Sequence, residues 1–220
     1  MSKNFRLSAS IWNAIRTLGF LAVSMTLTTA LLTDAFAQEG VRTVGYYTNA
    51  NTGAPDSRMS VVNPGSVNGF SPAGDLCANI YVFTPDQQMV ECCSCIVTPD
   101  GLRTFSANTD LTGNPLIAAT LHSGAIKIVS SAAPNNSCSV SNSPVPLPIA
   151  ATGYTPSGLL GSWITHANDA GNGTYSISET NFFPGALAAN ELHKLQAQCN
   201  AISQSNRVGS VHGICSCGSE

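Results

Sequence analysis

The sequence predicts an α+β protein that is mainly β: an antiparallel sheet or sandwich with one C-terminal helix, stapled by disulfides. Three observations carry this. Leu76–Leu111 reads as three extended runs separated by two Thr-Pro-Asp turns. Ala188, Leu192, Leu195, Cys199 and Ile202 recur at four- and three-residue steps, the apolar stripe of a single helix. Eight cysteines, Cys77, Cys92, Cys93, Cys95, Cys138, Cys199, Cys215 and Cys217, all follow an N-terminal stretch with the form of an export signal.

In that stretch Lys3, Arg6 and Arg16 precede the apolar run Leu18–Leu32, and Ala35-Phe36-Ala37 has the small-x-small form of a signal peptidase site. Residues 1–37 therefore read as a signal peptide. The run is short and rich in Thr and Ser for a membrane span, which leaves a retained anchor as the alternative. A pilin-type signal fails, because no acidic residue sits in the apolar run after Gly19. Residues 38–220 are expected to form a single secreted domain, extracellular, periplasmic or on the outer cell surface, with no further membrane span. Only 10% of residues are charged, the net charge is −3, and no basic patch exists. This argues against nucleic acid or an anionic membrane as partner. A surface of Ser, Thr, Asn and Gly suits polysaccharide or surface contact.

Val44–Thr48 and Met59–Val62 read as short strands around the loop Asn49–Asp56. In the next run Cys77, Asn79, Tyr81 and Phe83 alternate with Ala78, Ile80 and Val82. Both faces are largely apolar, the pattern of a strand covered on two sides. Thr84-Pro85-Asp86-Gln87 is a turn in which Pro presets φ and Asp bonds nearby backbone. Met89–Val97 follows, and Thr98-Pro99-Asp100-Gly101 reads as the same turn, with Gly101 free to take positive φ. The third run, Leu102–Leu111, places Arg103, Phe105 and Ala107 on one face. An antiparallel meander is the expected topology, since hairpins need only short connections.

Within Met89–Val97 the pleat sends Cys93 and Cys95 to one face and Cys92 to the other, so one strand can be tied on both sides. A bond between the neighbours Cys92 and Cys93 strains the intervening peptide, and three separate partners are expected instead. Ala125–Ser130 is another alternating strand. Ala133–Pro148 is rich in breakers and ends in the Pro-rich crossing 144–148, an extended, polyproline-like passage. Five cysteines precede that crossing and three follow it. Both counts are odd, so full pairing requires at least one disulfide across it and argues for one unit. The connectivity itself is open, one of about a hundred pairings.

Leu159–His166 and Thr174–Phe182 read as strands around a turn at Asn168–Gly173. Pro184 suits the first turn of a helix, Lys194, Gln196 and Gln198 lie off its apolar stripe, and Gly209 is a plausible stop. Cys199 lies on the stripe and is expected to staple the helix to the sheet or the tail. The tail ends in Cys215-Ser216-Cys217, echoing Cys93-Ser94-Cys95.

Candidate chemistry is sparse. The two Cys-Ser-Cys elements with His212 suggest a metal, but ligand pairs usually need a Cys-x-x-Cys loop, and exported thiols oxidise. Thiol exchange would call for an accessible Cys-x-x-Cys at a helix start. His122, His166, His193 and His212 form no His-Glu-x-x-His pattern, and each reads as structural or solvated. Gly69–Gly74 is one residue too long for a Gly-x-Ser-x-Gly elbow. No close carboxylate pair and no phosphate-cradling glycine loop is present. Tyr46, Tyr47, Tyr154 and Trp163 form a candidate stacking surface for sugars, with core packing as the alternative. Asn-x-Ser/Thr sequences at Asn135 and Asn172 mark surface loops. No catalytic, cofactor-binding or metal-binding residue is assigned; the only site residues are the eight disulfide cysteines.

The signal-like N-terminus, LCANIYVFTPDQQMVECCSCIVTPDGL and the terminal helix followed by GICSC together resemble a family of uncharacterised, secreted, cysteine-framework proteins of environmental bacteria. The resemblance is specific in Leu76–Gly101 and Gly213–Cys217. It implies export and disulfides and transfers no catalytic residue. The expectation is an extracellular, non-catalytic structural or binding module at the cell surface or in the matrix, meeting copies of itself or a cell-surface polysaccharide. The alternatives are a secreted hydrolase whose site forms on folding, which a His beside an acid and a hydroxyl in a compact pocket would favour, and a thiol redox or metal protein.

Overall fold

Apolar residues on both faces of Cys77–Phe83 demand cover from two directions, and the architecture supplies it. The computed structural model describes residues 38–65, 74–133, 137–138, 153, 155–205 and 212–219. The signal-peptide reading of residues 1–37, the turn at 69–73, Asn135, the crossing at 144–148, Tyr154 and Gly209 lie outside the described residues. Two sheets form a sandwich. The first contains β1 (Gln38–Tyr47), β3 (Leu76–Phe83), β4 (Met89–Val97), β6 (Gly124–Ala132) and β9 (Phe183–Leu187) in the order β4-β3-β6-β1-β9. The second contains β2 (Arg58–Val62), β5 (Leu102–Ser106), β7 (Gly161–Gly171) and β8 (Thr174–Asn181) in the order β5-β2-β7-β8. Every strand pairing within the sheets is antiparallel. One helix, α1 (Ala189–Ser205), follows β9.

The core between the sheets takes Ala78, Ile80 and Val82 from β3, Cys93 and Cys95 from β4, and Met59, Val61, Phe105 and Ile164 from the second sheet. The opposite face of the first sheet carries Tyr81, Phe83, Cys92 and Val129, packed under Leu195, Cys199 and Ile202 of α1. All eight residues of β3 are therefore buried. Burying each large aliphatic side chain of the stripe contributes about 1.5–3 kcal/mol, and this, more than helix propensity, holds α1 in place. Glu191 in its first turn meets Lys127 Nζ at 2.8 Å and Arg42 Nε at 3.4 Å, which fixes that end against β6 and β1.

Four disulfides use all eight cysteines: Cys77–Cys138, Cys92–Cys199, Cys93–Cys215 and Cys95–Cys217. The pleat of β4 explains three of them. Cys92 reaches out to α1, while Cys93 and Cys95 emerge together on the other face and take the tail. The tail then lies along the edges of both sheets. The Cys92 N–H donates to the Gly213 carbonyl at 2.9 Å, and Thr104 and Ser219 exchange N–H···O bonds of 2.9 and 3.1 Å on β5. Arg103, on the inner face of β5, donates to the Ile96 carbonyl of β4 at 2.7 Å and to the Cys217 carbonyl at 2.8 Å. Gly218 takes positive φ of 57°, where a Cβ would collide with the Thr104 carbonyl, so only glycine lets the tail approach β5 this closely.

Five expectations fail. The meander ends after β4: β5 leaves for the second sheet and pairs with β2, Met59 opposite Phe105. The two Thr-Pro-Asp turns differ accordingly. Gln87 takes positive φ (67°) in the β3–β4 hairpin, whereas Asp100 (59°), not Gly101, takes it at the sheet switch. The third run also stops at Ser106, whose hydroxyl accepts the Thr109 N–H and starts a single π turn, Ala107–Leu111. Next, β7 runs through His166 to Gly171, and the turn shrinks to Asn172-Gly173 with both φ positive (54° and 73°), the two-residue pattern that matches strand twist. Finally, Pro184 sits in β9, opposite Thr43 of β1, rather than in the helix. An edge strand tolerates the missing N–H.

Candidate functional site

The register of the first sheet aligns three residues across its outer face: Tyr46 of β1 and Phe83 of β3 both lie opposite Ala125 of β6. A methyl group between two rings leaves a notch, and here it opens into a cleft of about 480 Å³. Thr48, Thr84, Pro85, Gln87 and Ser123 rim it, and Lys127 closes the side toward α1. That volume is in the range of sites for small ligands.

Each wall has a structural cause. Tyr46 is 45% exposed, yet its ring is stacked on His166 at 4.5 Å between centroids and 14° between planes. His166 is itself buried, with Nδ1 3.3 Å from the Thr48 hydroxyl, and burial pulls its pKa below the ordinary imidazole value. A neutral imidazole therefore backs a surface tyrosine. Phe83 lies 5.4 Å below Lys127 Nζ, a cation–π contact, while the same ammonium holds Glu191. The hairpin turn places Gln87 at the rim, and among the described residues neither Gln87 nor Ser123 uses its side chain in a hydrogen bond within the protein. At Gly124 a Cβ would collide with the Phe83 carbonyl, so glycine is needed where β6 enters beneath the cleft. The result is an aromatic wall with amide, hydroxyl and ammonium donors around it.

Of the aromatic residues read from the sequence as one stacking surface, the three described ones, Tyr46, Tyr47 and Trp163, do not form one exposed face. Tyr47 is fully buried, its hydroxyl 3.4 Å from the Phe83 carbonyl. Trp163 lies on the outer face of the second sheet, opposite Ser60 and Asn181. Tyr46 and Tyr47 both line the cleft, but of the two only Tyr46 is exposed. Phe83, Ala125, Lys127 and Gln87 were missed, because only the strand register, absent from local sequence, assembles them.

The histidines stand apart. His122 Nδ1 lies 2.9 Å from the Ala50 carbonyl, and His212 Nδ1 3.0 Å from Asn114 Oδ1. His193 is exposed on α1. At the cleft, His166 meets the Thr48 hydroxyl and the Tyr46 ring. Every cysteine is paired in a disulfide. One buried acid is chemically distinctive. Glu91 points from β4 into the core, fully buried, with Oε1 accepting the Asn114 N–H at 3.0 Å. Burial pushes its pKa up to about 8. Tyr47 is raised too, by burial and then by the Glu91 charge.

Among the described residues no helix is long and apolar enough to cross a membrane. Comparison of the chain with family models, with curated proteins and with solved structures finds no match.

Proposed function

We propose that this chain is an extracellular, non-catalytic binding module of the cell surface or matrix, and that its cleft takes a pyranose unit of a polysaccharide. The observation that carries the reading is the stacked, half-exposed Tyr46 beside the Ala125 notch, ringed by Gln87, Ser123 and Lys127. A pyranose offers an apolar C–H face to an aromatic ring and hydroxyls around its rim, and a ring already held in place loses little entropy on binding. Four disulfides in a small β protein support an oxidising compartment, hence export with the signal peptide removed near Gln38. The resemblance of Leu76–Gly101 and Gly213–Cys217 to secreted cysteine-framework proteins agrees with this.

The test is binding of the oxidised protein to an array of neutral and uronic-acid polysaccharides, followed by calorimetry on any ligand found. Tyr46→Ala should weaken binding by about tenfold to a hundredfold, the worth of one aromatic stacking contact with its buried area. Ala125→Leu should block the notch without disturbing the core. Absence of glycan binding, or binding indifferent to both substitutions, would sink the proposal. N-terminal sequencing of protein from the exported fraction tests the location separately.

A further inference from the structure

A two-sheet sandwich has four edges, and here three are managed. The tail covers β4 and β5, with the Cys92–Ile214 and Thr104–Ser219 bridges and two disulfides holding it there. At the far end of the first sheet, β9 is only five residues long and carries Pro184, which has no N–H. The fourth edge, β8, has none of these protections among the described residues. It runs for eight residues, Thr174–Asn181, without proline, and pairs with β7 alone among the described residues. Among the described residues, alternate N–H and C=O groups along its outer side lack strand partners. It also carries exposed apolar side chains, Ile177 at 60% and Tyr175 at 39%, on the outer face of the sheet.

We infer that β8 is a homotypic docking edge, joining two copies of this chain antiparallel about a two-fold axis through Ile177. Such an axis, perpendicular to the sheet, keeps outer faces on the same side and sets residues of like parity opposite one another. Centred on Ile177, it pairs Ile177 with its own mate, Ser176 with Ser178 and Thr174 with Thr180. Tyr175 then faces Glu179, the only charged residue in β8, so no like charges oppose each other and the tyrosine hydroxyl can reach the carboxylate. Centring on Glu179 would set two carboxylates face to face. The product is a continuous eight-stranded sheet with the two Ile177 side chains packed side by side at its centre.

The test uses oxidised protein purified from cells expressing the full chain, with sedimentation velocity over a concentration series. The parent should dimerise reversibly, and Ile177→Lys should weaken association by about tenfold or more with unchanged circular dichroism. Ile177→Cys should cross-link to its mate on oxidation, and Ser176→Cys should not, because its mate lies outside disulfide reach. A parent monomeric at every concentration overturns the inference, including the case in which the edge takes an added extended peptide instead. So does a dimer indifferent to Ile177→Lys, or equal cross-linking at both positions.

Discussion

Glu91 makes the stability of this protein depend on pH in a way that its few charges otherwise would not. The folded carboxyl has a pKa of about 8, against 4.5 when free. Because the folded value lies above the unfolded one, the favourable contribution is fully present below pH 4.5 and is lost as pH rises through about 8. Near pH 7 the unfolded chain has released the proton and the folded chain has not. At 1.36 kcal/mol per pH interval that difference costs about 3 kcal/mol, and about 5 kcal/mol above pH 8. Glu91→Gln keeps an acceptor for the Asn114 N–H and cannot ionise. Urea titrations with the disulfides intact, followed by far-ultraviolet circular dichroism at a series of pH values, give both stability curves. The variant should gain on the parent by about 3 kcal/mol between pH 4.5 and 7. Curves that stay parallel over this interval would show that Glu91 does not hold its proton in the core, and the reasoning from burial would fail.

Two further outcomes follow from the same geometry. Cys92 and Cys199 are 107 residues apart, but Cys93–Cys215 already closes most of that loop. The extra constraint is about 16 residues, from Cys199 to Cys215, so the Cys92→Ala/Cys199→Ala pair should lose about 3 kcal/mol in urea denaturation rather than the roughly 5 of an independent loop. A loss near 5, or none, would contradict the nested closure. His166 acts on the acid side: with its pKa lowered by burial, its contribution is present above the unfolded value of 6.5 and is lost as pH falls below it. His166→Gln should flatten that limb of the stability curve, and an unchanged limb would refute the assignment.

The sequence carried the parts of this fold that depend on local periodicity. Apolar residues on both faces of Cys77–Phe83 announced cover from two sides, and the two-residue pleat placed Cys92 opposite Cys93 and Cys95 before any partner was known. The stripe Leu195, Cys199, Ile202 located the buried side of α1. What escaped was set by distance. Thr98-Pro99-Asp100-Gly101 encodes a tight corner, and the same corner serves a hairpin or a change of sheet; the choice fell to Phe105 packing opposite Met59. Pro184 is as acceptable in an edge strand as in a first helical turn, and pairing with Thr43 decided it. The cleft was illegible for a related reason. Tyr46, Phe83 and Ala125 are far apart in the chain and meet only once three strands align in register. Disulfide partners share that limit, since parity counts bonds that cross a segment without naming them.

Closure of β4 and β5 by the tail leaves β8 as the open edge among the described residues, and it rests on two sulfur pairings. Proteolysis of the unreduced protein in acid, which suppresses exchange, followed by mass spectrometry reads them directly. The structure requires peptides linked as Cys77–Cys138, Cys92–Cys199, Cys93–Cys215 and Cys95–Cys217. Cross-paired Cys93–Cys217 and Cys95–Cys215, or free thiols in the tail, would contradict it.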